Sequence, residues 1–353
     1  MGQYWMIINL DKREATSHLG KLGECLFDGI PESLVPYFAI PLPLSALDIK
    51  KEFSGVNSGP SANSALGSLD LAPEILYLIF DEIDDLRGAI SLSLTNKTLS
   101  DIGQARVYEL ACKTTAPWAG DRVICAGDYM RWHDLPVGML SESELYEYRS
   151  QDEDEGDGDS NEEYDSYTNN PRNFHDVRWR EAPSRHSEPD VLNISSIHDA
   201  YFHYNVSSFE REEFSRRQKP QYSIDLSKDE THGWVLCSIS KREYVRASVV
   251  AALTGSSAKM PRGIGGRGGF GLGHVLMSQI CWSSDDSISM RYKGDLHRGR
   301  WAGDRLSITT MDRLDNHEAW KDTSEEVVKK ITKIWDADCQ GWRSQVNCND
   351  TPK

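Results

Sequence analysis

The pattern with the most chemical content in this chain is a repeated acid–cation pair. Trp118-Ala-Gly-Asp-Arg122 recurs unchanged as Trp301-Ala-Gly-Asp-Arg305. Asp121 beside Arg122, and Asp304 beside Arg305, offer a carboxylate for proton transfer and a guanidinium to hold an anion. The same residues also read as a turn closed by a structural ion pair, and their duplication favours that, because an active site is seldom needed twice. A second candidate is the glycine run that holds Gly263, Gly265 and Gly268 in a G-x-G-x-x-G spacing. A dinucleotide site needs a strand before this spacing and a helix after it. Here a polar stretch with Pro261 precedes it, and Val275 to Trp282 behind it reads as a strand, so a hairpin-like loop is expected. His198 and His203, with Asp199 between them, lack the helical i, i+4 spacing and third ligand of a metal site. The seven cysteines are irregularly spaced and form no C-x-x-C pair. They suit neither a disulfide framework nor a zinc site, and reduced thiols are expected. No catalytic, cofactor-binding or metal-binding residue is assigned, and no cofactor is expected.

The elements around these residues repeat as well. Trp5 is followed by Lys12-Arg13-Glu14, and Trp234, at the same spacing, by Lys241-Arg242-Glu243. Leu22-Gly-x-x-Leu26 is matched by Leu272-Gly-x-x-Leu276, and Ser141-Glu142 by Ser324-Glu325, each pair 23 residues past its tryptophan. Ser141 with Glu144, and Thr323 with Glu326, fit capping boxes. Three ordered matches imply two related halves, and such copies often pair about a pseudo-twofold axis. The span from Trp5 to Trp118 exceeds that from Trp234 to Trp301 by about 46 residues, close to one small inserted bundle. Strands are expected at Tyr4–Leu10, Arg122–Gly127, Trp234–Ser240, Tyr244–Val250, Val275–Trp282, Ser287–Tyr292 and Arg305–Thr310. A helix is expected over Ser324–Asp336, with Val327, Ile331, Ile334 and Trp335 on its apolar face. The fold class is therefore α+β, one pseudo-symmetric domain of two sequence-related halves.

Composition sets the outer bounds. The formal net charge is -16, and the excess is concentrated in a carboxylate run from Asp152 to Asp165. Such a run reads as a solvated, disordered loop. No clustered basic patch suggests contact with nucleic acid. No apolar run is long enough for a spanning helix, and the start of the chain has no signal-like apolar region, so a cytoplasmic or nuclear protein without membrane association is expected. The organisation reads as 1–42, start of the first half; 43–68, linker; 69–112, helical insertion; and 113–148, end of the first half. Next come 149–172, acidic loop; 173–228, partly ordered connector; 229–340, second half; and 341–353, tail.

The insertion opens with Leu71-Ala-Pro-Glu-Ile-Leu-Tyr-Leu-Ile-Phe80. Pro73 suits a first helical turn with Asp70 as its cap. Ile75, Leu76, Ile79 and Phe80 form a helical stripe. Asp84-Asp85 breaks it, Leu86, Ile90 and Leu94 mark a second helix, and Thr95-Asn96 precedes a third. Leu-x-Pro-Glu-Ile-Leu-x-x-Ile-Phe, an acidic break, then Leu92-x-Leu94-Thr-Asn-x-x-Leu99 resembles the F-box family. The flanking Trp-Ala-Gly-Asp-Arg segments look like those of fungal F-box-like proteins. The resemblance implies an adaptor, not an enzyme, docking a Skp-type protein of a cullin-based ubiquitin ligase through Leu71, Pro73, Glu74, Leu76 and Phe80. The remaining domain would receive a client protein whose identity the residues do not give. An enzyme or small-ligand binder with a cleft between the halves, and a plain interaction module, are the alternatives.

Overall fold

The computed structural model describes residues 2–27, 30–40, 69–95, 97–150, 174–182, 233–253 and 271–339. The expected linker, the acidic run, Gly263, Gly265, Gly268, His198, His203 and Cys348 lie outside these residues. The chain divides into two compact units. The first, a mixed unit, comprises Met1–Phe38, Trp118–Pro183 and Asp225–Lys353; the second, a helical unit, comprises Ala39–Pro117 and Ser184–Ile224. The architecture is α+β, with two mixed sheets and nine α-helices among the described residues.

The mixed unit begins with strand β1 (Trp5–Asn9), strand β2 (Glu14–Ala15), helix α1 (Leu22–Phe27) and helix α2 (Ile30–Phe38). After the helical unit come strand β3 (Val123–Gly127), helix α6 (Glu142–Arg149) and strand β4 (Arg180–Glu181). The later part holds strands β5 (Trp234–Ser238) and β6 (Glu243–Arg246) and helices α7 (Ala247–Ala252) and α8 (Leu272–Ile280). It continues with strands β7 (Cys281–Trp282), β8 (Leu306–Thr310) and β9 (Lys321–Asp322) and ends in helix α9 (Ser324–Asp338). The helical unit contains α3 (Pro73–Asp81), α4 (Leu86–Thr95) and α5 (Lys97–Thr115).

The two sheets run in orders β4-β2-β1-β3-β7 and β8-β5-β6-β9. Their shared part has the same directions. β1 is antiparallel to β2 and β3, as β5 is to β6 and β8, while β2–β4 and β6–β9 are parallel. Register agrees too: Asn9 faces Glu14 and Val123, and Ser238 faces Glu243 and Leu306. β1, β3, β5 and β8 are buried along their whole length, and β1, β3 and β5 are accordingly near-continuous apolar runs, whereas β8 buries Ser307, Thr309 and Thr310 between its apolar residues.

Four sequence expectations are corrected. Val275–Trp282 is not a strand; most of it is α8, in which every residue is buried. A helix buried all round loses the one-sided periodicity that distinguishes helix from strand. Ser287–Tyr292 alternates like a strand, and Ile288 and Met290 are buried, but Ser289 has φ 54°. That left-handed residue breaks an extended run. Tyr244–Val250 is extended only to Arg246 before α7 begins. Finally, Leu22 and Leu272 do not take equivalent places in the element order. Leu22 lies on α1, whereas Leu272 opens α8, whose topological partner is α2. Both α2 and α8 have nine residues, and each ends at a carbonyl that accepts from a repeated tryptophan: Tyr37 O from Trp118 N at 2.8 Å, Gln279 O from Trp301 N at 2.7 Å.

Candidate functional site

The repeated pentapeptides form an architectural joint. Glycine carries the turn in each, with φ of 84° at Gly120 and 78° at Gly303. Arg122 and Arg305 face each other in an antiparallel bridge. Around it the backbone bonds come in matched pairs. Gly120 N donates to Leu306 O at 2.7 Å and Gly303 N to Val123 O at 2.9 Å. Val123 N donates to Asp304 O at 3.0 Å and Leu306 N to Asp121 O at 3.1 Å.

The side chains that looked catalytic are bound in parallel networks. Trp118 Nε1 donates to Glu14 and Trp301 Nε1 to Glu243, each at 2.9 Å. Asp121 accepts from Asn9 at 2.8 Å and pairs with Lys12 at 3.5 Å. Asp304 accepts from Ser238 and pairs with Lys241, both at 2.8 Å. These contacts explain the Lys-Arg-Glu motif. Its lysine neutralises the repeated aspartate and its glutamate holds the repeated indole. The arginine between them turns the chain, with φ of 54° at Arg13 and 53° at Arg242.

The two networks differ at Asp11, which follows Trp5 at the spacing at which Ser240 follows Trp234. Asp11 receives Arg122 Nε at 2.8 Å and Arg305 at 2.7 Å, whereas Ser240 accepts the Arg305 backbone N–H. Burial by itself would raise the Asp11 carboxyl. Hydrogen bonds from the Arg122 backbone and side chain, with the charges of Arg122 and Arg305, outweigh it and hold the group below its ordinary value. The Arg122 hydrogen bond also pulls Glu144 down to about 2, helped by the Ser141 backbone and hydroxyl. A carboxylate held this low stays charged and is a poor general acid or base at neutral pH. Ser141 and Glu144 form the expected capping box. Thr323 does not cap α9; its hydroxyl donates to Tyr244 O, and Asp322 accepts from Ser324 N at 2.9 Å instead.

Of the glycine run, Gly271 to Gly273 are described. A helix, not a strand, follows them, so the start of α8 resembles an anion-binding helix N-terminus. An internal carboxylate already sits there. Glu32 accepts from Gly273 N at 3.1 Å and lies 2.8 Å from His274 Nδ1. The cysteines described are free thiols. Burial pushes Cys237 up to about 12 and raises Cys125 strongly, so neither is a reactive nucleophile. Among the described residues no cluster of histidine, cysteine and carboxylate fits a metal ion.

The surface with binding character is on α3. Pro73 starts the helix as expected, but Ala72 holds the cap position and Asp70 makes no cap bond. Asp85 caps α4 by accepting from Gly88 N at 2.6 Å. The five expected contact residues divide. Leu71, Pro73 and Glu74 are exposed. Leu76 and Phe80, at 2% and 1% exposed, are corrected to core residues: they pack with Leu99 and Ile102 of α5. The stripe at Leu76 and Phe80 closes the bundle itself, and Gly103 lies so close to the Phe80 ring that an added Cβ would stand 2.3 Å from it. Ile75 and Leu78, 45% and 60% exposed, were missed as surface positions, together with Tyr77. At 100° per residue, Ile75 and Leu78 share one face of α3, away from Leu76 and Phe80, and Leu71 is exposed just before the helix begins. An α3 that is apolar on both faces was the available signal.

No family model, curated protein or solved structure matches this chain. No helix among the described residues is long and apolar enough to cross a membrane.

Proposed function

We propose that the chain is a non-catalytic adaptor: an F-box-like helical unit that docks a Skp-type protein, set into a scaffold of two copies related by a pseudo-twofold axis. The observation that carries the docking role is the outward face of α3. Ile75 and Leu78 stand 45% and 60% exposed, with Leu71, 41% exposed, just before the helix, while Leu76 and Phe80 on its other side are buried in the bundle. Exposed large apolar side chains grouped on one helix face are a surface to be covered by a partner. Glu74, Asp81 and Glu82 are exposed around them, so the partner surface is apolar with a basic rim. The copies of the scaffold are supported by the shared strand order, register and indole–glutamate bonds. In this reading the scaffold presents a client protein to the ligase.

A cleft between the copies finds less support. They meet through matched backbone bonds, through β3–β7 pairing at Cys125 and Cys281, and through α2 packed on α8. Gly273 lies against the backbone of Pro31, where an added Cβ would stand 2.0 Å from the carbonyl oxygen.

The test is co-purification of the full-length chain with a Skp-type adaptor. Ile75→Glu with Leu78→Lys is expected to abolish capture while the helical content of the protein is unchanged, since each buried apolar anchor contributes about 2 kcal/mol or more. Capture that survives both substitutions, or no capture by the unaltered protein, overturns the docking role.

A further inference from the structure

A cavity of about 810 Å³ opens in the second copy, between α9, the end of β6 and the segment from Tyr292 to Arg300. That volume is in the range of small-molecule sites. Six cations line it: Arg246, Arg298, Arg300, Lys329, Lys330 and Lys333. They face four carboxylates, Asp295, Asp322, Glu325 and Glu326. Asp134 and Glu243, which pair with Arg298 and Arg300, bring the carboxylates around these cations to six, so the positive charge open to a ligand is that of the unpaired lysines.

The cations fall into two sets. Arg298 is held by Asp134 at 2.7 Å and 2.9 Å and lies over the Trp282 ring at 4.7 Å. Arg300 is gripped by Glu243 and Glu326, Arg246 pairs with Asp322 at 2.9 Å, and Lys330 pairs with Asp295 at 3.0 Å. These four are fixed in place. Lys329 and Lys333 are exposed and make no hydrogen bond or ion pair among the described residues. They stand i, i+4 on α9, on the face away from Val327, Ile331, Ile334 and Trp335, which anchor the helix. Two uncommitted ammonium groups one turn apart, beside held guanidiniums, suit an anion with more than one charged group.

A comparison that rests on the proposed duplication points the same way. In sequence alignment on the repeated motifs, Arg246 corresponds to Ser17 and Arg300 to Pro117. The indole, glutamate, lysine and aspartate of the joint are kept in both copies, whereas these cations occur in one. Residues that serve architecture are needed twice, and a ligand site is needed once.

We propose that this cavity binds a compact polyanion, a small molecule bearing two or more phosphate or carboxylate groups. Calorimetric titration of the full-length protein with pyrophosphate, and separately with citrate, tests it. At least one probe is expected to bind one-to-one, more weakly as salt rises. Lys329→Glu with Lys333→Glu should weaken that binding tenfold or more, whereas Lys113→Glu on the helical unit should leave it unchanged. Binding of pyrophosphate alone assigns a phosphate-bearing ligand, of citrate alone a polycarboxylate, and of both a site tolerant of either group. If the charge-reversed protein loses its circular dichroism spectrum, Lys329→Gln with Lys333→Gln replaces it, with a loss of threefold or more expected. No binding of either probe, or binding indifferent to these substitutions, overturns the proposal. Neither result touches capture of a Skp-type adaptor, so failure here and failure of the docking role are separable.

Discussion

At the scale of single residues, the repeated motif is explained by what its side chains hold. Trp301 is buried and its indole donates to Glu243, which is also buried. Trp301→Phe removes a donor to a charged acceptor, worth about 1.5–3 kcal/mol, and adds the cost of the cavity left by the smaller ring. Trp118→Phe should cost less, because Glu14 is the more exposed glutamate, at 16% against 7%. Urea denaturation of the two variants measures the difference. Equal losses would show that burial of the acceptor does not set the energy. The Arg122 cluster gives a pH prediction. The Glu144 carboxyl is depressed from 4.5 to about 2 by its hydrogen bond to Arg122. Its stabilising contribution is present above the unfolded value and is lost as pH falls through the folded one. Glu144→Gln should therefore flatten the decline in stability between those two values, and tryptophan fluorescence across an acid series reads it. The networks were partly legible in sequence, since Trp-Ala-Gly-Asp-Arg and Lys-Arg-Glu recur together. Which side chain bonds which was not, because the partners are about 60 to 100 residues apart along the chain.

At the scale of elements, the helical unit and the α2–α8 contact carry the sharpest expectations. Leu76→Ala and Phe80→Ala remove side chains from the bundle core, and cost about 2–5 and 3–5 kcal/mol respectively. Gly103→Ala should also destabilise the bundle, since its new methyl meets the Phe80 ring. Leu78→Lys, on the outward face, should leave the thermal midpoint nearly unchanged. A large loss at Leu78 would mean that this face is covered intramolecularly. The three helices, the proline at the first turn and the Asp85 cap follow from local spacing and capping chemistry. The division of one apolar helix into an inner and an outer face does not, because Ile75 and Leu76 are equally apolar and only the position of α5 chooses between them. For α8 the failure is sharper. Burial on every side erased the period on which the assignment depends, and Gly273 admits the close approach of Pro31 that buries it.

At the scale of the whole molecule, each unit has its own apolar cluster. Leu76, Phe80, Leu99 and Ile102 form one, and Met6, Ile8, Ile124 and Phe174 belong to another. Damage should stay local. Leu76→Ala is expected to raise amide hydrogen exchange across α3–α5 and leave β1, β3, β5 and β8 protected. Faster exchange in those strands would indicate one cooperative core. Sequence by itself determined the α+β class, the repeated motifs, the strands at β1, β3, β5 and β8, and the three-helix segment. Each depends on residue type and near-neighbour spacing, which the chain carries explicitly. Tertiary structure decided that α2, not α1, is bonded near its end by a repeated tryptophan as α8 is, that Glu32 fills the helix N-terminus behind the glycines, and that Leu76 points inward while Leu78 points out. It also gathered the cations of β6, Arg298, Arg300 and α9 around one cavity. Those outcomes are set by contacts between residues far apart in the chain, and no local pattern encodes which distant surface will arrive.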